Sequence, residues 1–529
     1  MKPKVVLLLI LLLAGFLRLY KLDMMELFGD ELDVGYQAYS LLHTGRDYMG
    51  QLLPTYAHSF SEWRAPLLMY ATVPFVAVFG LNVWGVRLPA VFFGLLGIFL
   101  TYLLAKKLFK DERVGLFSAL VMAITPWSIH YSRAAFESTL LLSLVLLGTL
   151  AFLNKRWLVS ALTFGLSFYT YNTANIFVPL LLLFLTVFWF PDLKQEGRRL
   201  LGPGLLFGLL LIPIGLSIIS GQGRERFGLI SIFNDPYTID RVVYWRTHGL
   251  ENGFAERLFH NKITGWGRQF IGNYLTAFSP QFLFLNGDLT PRHNLPGFGQ
   301  LPWLLIPFLL FGAWKLVQKK FNRETGLVFV WLLISPIASC LTVGGGEQAT
   351  RLFLMLFPLV ILIGLGLSRI KNRLFLLAVV FLAFVNLAFW SHAYFVHYPK
   401  EEYLRWHYGY QSAFSWLAEN ESSFGRVMIN NQYEPGLTRY LFWTKKDPVW
   451  LRENFTGDVV ADQVLSGFNG FKLESVYFGG IGQEDKLSWL QQNLDPETVY
   501  LAFQLFEAPG DWDWQKQPPS GIKVLSVTR

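Results

Sequence analysis

Apolar residues fall into eleven long blocks: 5–20, 88–105, 115–130, 138–153, 157–171, 174–190, 200–219, 301–314, 325–343, 350–367 and 374–391. A helix needs roughly 20 residues to cross a bilayer. Several blocks are short at their edges, yet their number and spacing predict an α-helical polytopic membrane protein of about 11 transmembrane helices. Pro66–Gly80 is also apolar but only 15 residues long and carries Pro74. It is expected as a helix lying at the interface, because counting it as a crossing inverts the side of every later loop. Long polar stretches remain at 21–87, 220–300 and 392–529.

The last of these alternates helix-like pieces (Tyr410–Asn420, Gly436–Thr444) with β-rich ones (Arg426–Ile429, Phe471–Phe478, Thr498–Phe503, Ile522–Val527). That pattern predicts a small α/β domain at 392–529, after a membrane domain at 1–391. No internal repeat or low-complexity linker separates them. The first block follows Lys2 and Lys4 and leads into Arg18-Leu19-Tyr20-Lys21, with no small-residue cleavage site. It is expected to be a retained span rather than a leader peptide.

Composition sharpens this picture. Of 529 residues, 53% are hydrophobic and 16% charged, too few charges to cover a soluble globule. The single cysteine, Cys340, excludes a disulfide framework. The net charge of +8 resolves into two parts. With the N-terminus in the cytoplasm, the cytoplasmic loops hold 18 basic and five acidic residues, or +13. The remainder is −5, which is also the net charge of 392–529 alone. The basic excess therefore records membrane orientation, with the C-terminal domain outside, and no nucleic-acid partner is expected. The location expected is a plasma or inner membrane.

No charged residue stands in the middle of a block, which disfavours ion-coupled transport. A lipid or sugar transporter or flippase remains the alternative reading. A surface scaffold using the 392–529 tail is a third. The outer face lacks nucleotide sugars, so a transferase there needs a lipid-linked donor. Arginines suit its phosphate, and a carboxylate suits the acceptor hydroxyl. Asp30-Glu31-Leu32-Asp33 stands just after the first block. Asp30 and Asp33 share a helix face at i,i+3, a base with a partner, although acids in a first helical turn also suit the helix dipole. Two nearby carboxylates are also a weak signal for a divalent metal. Basic candidates at outer helix ends are Arg64 (in Trp63-Arg64-Ala65-Pro66-Leu67), Arg87, Arg133 with Glu137 four residues on, and Arg351 after Gly344-Gly345-Gly346. Asp288, Arg292 and His293 form a further polar group in the second long stretch.

Together these residues resemble the GT-C glycosyltransferases that use polyprenyl- or dolichyl-phosphate sugars, chiefly protein O-mannosyltransferases and lipid A aminoarabinose transferases. The resemblance runs over about residues 1–400 and is strongest over 28–140. Asp30-Glu31 resembles the family's Asp-Glu pair, which implies Asp30 as the catalytic carboxylate beside Glu31. Arg64-Ala65-Pro66-Leu67 resembles a Lys-Pro-Pro-Leu element, with Ala65 in place of the first Pro. Arg133 and Glu137 resemble an Arg-Asp pair. Arg351 resembles a late arginine that holds the lipid phosphate. The resemblance implies Arg64, Arg133 and Arg351 at the donor phosphate and no bound metal. From their positions in the sequence, Arg87, Glu137, Asp288, Arg292 and His293 are expected around the substrate cavity, with a membrane-anchoring arginine at 87 and ordinary turn chemistry at 288–293 as the alternatives. It also implies a basic residue near 175, where this chain has Asn175. The Trp-Trp-Asp-Tyr-Gly signature of oligosaccharyltransferases is absent, and Asp511-Trp512-Asp513-Trp514 does not replace it. The implied reaction moves a sugar from a polyprenyl-phosphate donor, with inversion, to a protein, lipid or glycan acceptor. The implied partners are that donor and membrane lipids.

Overall fold

Inside a bilayer every backbone N–H and C=O must be satisfied within the protein, so isolated apolar blocks fold as helices. The computed structural model describes residues 2–529 except 61–62, 222–224, 249–252, 319–321, 432–434, 456–461, 483–485, 504–521 and 527–529. Asp511–Trp514 thus lies outside the described residues. Each of the eleven apolar blocks coincides with helix. Among the described residues, five helices are long and apolar enough to cross unaided: Val83–Phe109, Phe190–Ile219, Arg323–Cys340, Ala349–Ser368 and Arg373–Glu401. The others are shorter or interrupted. The 115–130 block divides into Glu112–Ile124 and Pro126–Tyr131, because Pro126 holds Thr125 extended at ψ 129°. The expected interfacial helix is Leu67–Phe79, 13 residues. At 1.5 Å per residue it spans roughly 20 Å, short of the roughly 30 Å hydrocarbon core.

Polar residues set several helix starts. The Asp111 carboxylate accepts from the Arg113 N–H, the Asn322 side chain from Thr325, and the Asn372 side chain from Leu374 and Phe375.

The chain divides into two compact units. Met1–Tyr20, Glu62–Leu68 and Ala90–Val396 make the first; Lys21–Ser61, Met69–Pro89 and His397–Arg529 make the second. The core of the first is the buried helix Leu356–Ser368, packed on Glu112–Ile124 and Ile306–Gln318. Glycines let these backbones touch. A Cβ on Gly312 would meet Leu362 O at 1.8 Å, one on Gly366 would meet Phe308 O at 2.1 Å, and one on Gly364 would meet Ser118.

In the second unit the Gly29–Thr44 helix crosses Gly436–Trp443 closely; a Cβ on Gly35 would lie 2.6 Å from Phe442. The C-terminal sheet has six strands in the spatial order Asp462–Leu465, Phe468–Leu473, Val476–Ile481, Arg426–Asn430, Thr498–Phe503, Ile522–Ser526. The Val-Met-Ile strand at 427–429 is central and parallel to both neighbours; the outer pairs are antiparallel. The β-rich piece expected at 471–478 is a hairpin. Leu473 pairs with Val476 across a two-residue turn, with Glu474 at φ 50°. Met428, Phe468, Ile481, Trp489 and Tyr500 pack together on the sheet.

Candidate active site

The acidic group lies in the second unit. Phe28 is extended, and its N–H donates to Glu31 Oε2 at 3.4 Å, which starts the Gly29–Thr44 helix. Asp30 and Glu31 occupy the first turn, where the helix dipole favours anions. Asp30 is exposed. Glu31 is fully buried, and both its oxygens accept from Arg87, Oε1 from Nε at 2.8 Å and Oε2 from Nη2 at 2.7 Å. The remaining Arg87 N–H groups donate to the carbonyls of Leu22, Met25 and Glu26 at 2.9, 2.8 and 3.0 Å. Its guanidinium also lies 5.5 Å from the Trp406 ring centroid. Arg87, expected at a substrate cavity, thus has an acceptor for all five donors and braces the acidic turn instead. Asp33 also departs from expectation. It is buried and accepts from Tyr48 Oη at 2.6 Å, while Asp30 faces solvent.

Glu26 escaped the sequence reading. Its carboxylate accepts from the N–H groups of Gly409 and Gln411 at 2.8 and 2.9 Å, capping the Tyr410–Asn420 helix. Burial pushes its pKa up to about 7, against the opposing pull of those amides and of Arg439. The folded state therefore favours the protonated form. The stability this confers is complete below the ordinary carboxyl range and is lost as pH rises through about 7. Unfolding free energy should fall by about 3 kcal/mol between pH 5 and 8 on this account. Glu26→Gln should flatten that slope in thermal melts of the purified protein. A slope equal to that of the unsubstituted protein would assign the pH dependence elsewhere.

The basic group lies in the first unit. Arg133 is buried, and Nη1 donates to the carbonyls of Leu17, Arg18 and Tyr20 at 3.0, 2.9 and 2.8 Å. Its guanidinium stacks 4.9 Å from the Phe395 ring and 5.5 Å from Tyr394. Arg133 closes the C-terminal end of the first helix, where a cation opposes the helix dipole. It sits in a turn, and Glu137, half-buried, begins the next helix. The pair does not share one helix, so the i,i+4 spacing read from the sequence does not apply.

Asp288 is an anchor. Its oxygens accept from the Thr290 N–H at 2.8 Å and the Ala349 N–H at 2.7 Å, and His293 Nδ1 stands 3.3 Å away. Ala349 is the first residue of the short helix that carries Arg351. The Arg292 carbonyl is 2.7 Å from His130 Nε2. Asp288 and His293 meet. His130, which also bonds Tyr394 Oη at 3.0 Å, was not foreseen. Arg18 was also passed over. It is fully buried and donates to Ala14 O, Ala123 O and Ser128 Oγ. A charge inside an apolar block was the signal for it.

Arg351 is half-buried, and its Nη1 donates to Thr342 Oγ1 at 2.6 Å. It lines a cavity of about 60 Å³ with Tyr171, Asn172, Thr173 and Phe227. The glycines before it permit this placement. Gly344 is left-handed at φ 63°, and a Cβ on Gly345 would meet Ser339 O at 1.8 Å. Arg64, half-buried, lies in the two-residue strand Trp63–Arg64. Three residues later the Leu67 N–H donates to Tyr169 O at 2.9 Å. Asn175, where a basic residue was expected, has its Oδ1 buried without a donor among the described residues.

The chain is a mostly helical integral membrane protein with a small C-terminal sheet region. Its structure matches ArnT from Cupriavidus metallidurans. Bound to undecaprenyl phosphate, that protein superposes with a TM-score of 0.52 at 14% identity, covering 99% of this chain and 98% of the other. Its apo state gives 0.53 at 13% identity, covering 98% and 97%. In sequence, residues 63–214 match the family described as dolichyl-phosphate-mannose-protein mannosyltransferase. The undecaprenyl phosphate-alpha-4-amino-4-deoxy-L-arabinose arabinosyl transferase of Pseudomonas aeruginosa (strain LESB58) is 26% identical over 308 residues, 55% of this chain. That match spans about half the relative's length, 47%.

Proposed function

We propose that this protein transfers a sugar from a polyprenyl-phosphate donor to an acceptor hydroxyl at the extracytoplasmic face. The observation that carries the reading is the Arg351 cavity, walled by Tyr171–Thr173, with the segment after Arg64 bonded two residues before that wall, Leu67 N–H to Tyr169 O. A lipid phosphate suits a half-buried guanidinium at a helix end. The arabinosyl transferase relatives, named for undecaprenyl phosphate-linked sugar, support the same donor class. The acceptor is a hydroxyl of a protein, lipid or glycan.

The acceptor oxygen attacks the anomeric carbon, and the bond from that carbon to the phosphate oxygen breaks with inversion. Asp30 takes the hydroxyl proton. The polyprenyl phosphate leaves as an anion held by Arg351 with Arg64, so electrostatic stabilisation replaces a general acid. Glu31 and Arg87 keep the acidic turn in place. Arg133 acts through the end of the first helix. The Asn175 oxygen is an acceptor available to a sugar hydroxyl. The excess of basic residues in the loops assigned to the cytoplasm, +13 against −5, supports a cytoplasmic N-terminus and an extracytoplasmic 392–529 domain.

Hydrogen bonds to charged groups contribute about 1.5–3 kcal/mol. Arg351→Gln should therefore weaken undecaprenyl phosphate binding roughly 10- to 150-fold in the purified protein. Unchanged lipid binding by Arg351→Gln and Arg64→Gln together would refute the phosphate assignment.

A further inference from the structure

The helices Pro236–Thr247 and Lys262–Ala277 enclose a cavity of about 420 Å³, distinct in its lining from the Arg351 cavity. They approach closely at Gly265, where a Cβ would lie 2.9 Å from Val242. Arg241 and Arg268 both line it and both stack on Trp245, with guanidinium carbons 6.0 and 5.2 Å from the ring centroid. Among the described residues neither arginine forms an ion pair. Asp240, next to Arg241, is exposed. Asp235 accepts from the Tyr237 and Thr238 N–H groups, and Glu256 stands 3.4 Å from His260 Nε2.

Two guanidiniums that line one cavity, contact the same indole ring and form no ion pair among the described residues leave positive charge there for an anion to neutralise. Phosphate matches their fork geometry. The surroundings point to a lipid rather than a soluble anion. Ile263, Ile271 and Leu275 are exposed and share one face of the Lys262–Ala277 helix by their four- and eight-residue spacing. Tyr237 and Phe259 line the cavity and are largely exposed as well. An amphipathic helix of this kind lies in the headgroup region, with acyl chains along its apolar face.

We propose that this cavity binds the phosphate headgroup of an anionic glycerophospholipid, as a site separate from the one proposed for the sugar donor. The test uses the full-length protein, purified in detergent, with native mass spectrometry of defined lipids. Arg241→Gln/Arg268→Gln should weaken phosphatidylglycerol binding at least tenfold. It should leave undecaprenyl phosphate binding unchanged. Arg241→Lys/Arg268→Lys, which keeps charge but loses the fork, should fall between. Trp245→Leu, which frees both guanidiniums without removing them, should also weaken the phospholipid, and it serves if the double glutamine variant does not fold. Four results overturn the proposal: phosphatidylglycerol binding that does not change, an equal loss of phosphatidylcholine, a loss of undecaprenyl phosphate, or glycerol phosphate binding as tightly as the phospholipid.

Discussion

Asp30→Asn lowers sugar transfer by about 10²–10⁴-fold, the contribution of a positioned general base, while the protein folds normally and still binds lipid phosphate. The expectation rests on two features. Asp30 is the exposed acid of the first turn, whereas Glu31 and Asp33 are buried. Exposure also limits its structural role. As an acid near a helix N-terminus it contributes about 0.3–1 kcal/mol to stability, too little for its loss to unfold the chain. The measurement is transfer of a labelled sugar from a polyprenyl-phosphate donor by protein in liposomes, beside a thermal melt of the same preparation. If Asp30 served only the dipole, the melt would shift slightly and transfer would stay near normal. That outcome removes it from the mechanism.

Arg87→Ala gives the largest loss of stability expected in the second unit, about 3–5 kcal/mol, the range for removing one partner of a buried ion pair. Both side chains are nearly inaccessible, at 2% and 0% exposure. Three carbonyls lose their donors at the same time as Glu31 loses its counter-charge. The check is a denaturation curve, with Glu31→Gln and the double substitution as companions. The double change should cost less than the two single changes added together, because it removes the uncompensated charge. Additive losses would show that the two side chains act independently and that the pair does not hold the turn.

Much of the helical architecture was legible in the sequence because hydrophobic block length reflects bilayer thickness directly. The acidic first turn was legible too, since Gly29 followed by acids is a local signal. The central Val-Met-Ile strand and the two tail helices read correctly for the same reason. Partners set by packing were not legible. Arg87 and Glu31 are 56 residues apart, Asp288 and Ala349 are 61, and Glu26 and Gly409 are 383. No periodicity encodes such pairs. Arg133 shows the consequence. Its spacing from Glu137 read as a helical pair, but Thr125-Pro126 breaks the preceding helix and a turn separates the two residues. Grouping of residues 21–61 with the C-terminal stretch was hidden for the same reason.

The Glu26 cap has a practical consequence for anyone exchanging parts between relatives. The Tyr410–Asn420 helix takes its N-terminal acceptor from a residue just past the first helix, and Tyr36 donates to the Lys446 carbonyl at 2.9 Å. The tail is thus not a detachable cassette. A chimaera that imports 397–529 alone inherits a helix without its cap and strands the host's buried carboxylate. Grafts should move 21–61, 69–89 and the tail as one inherited set.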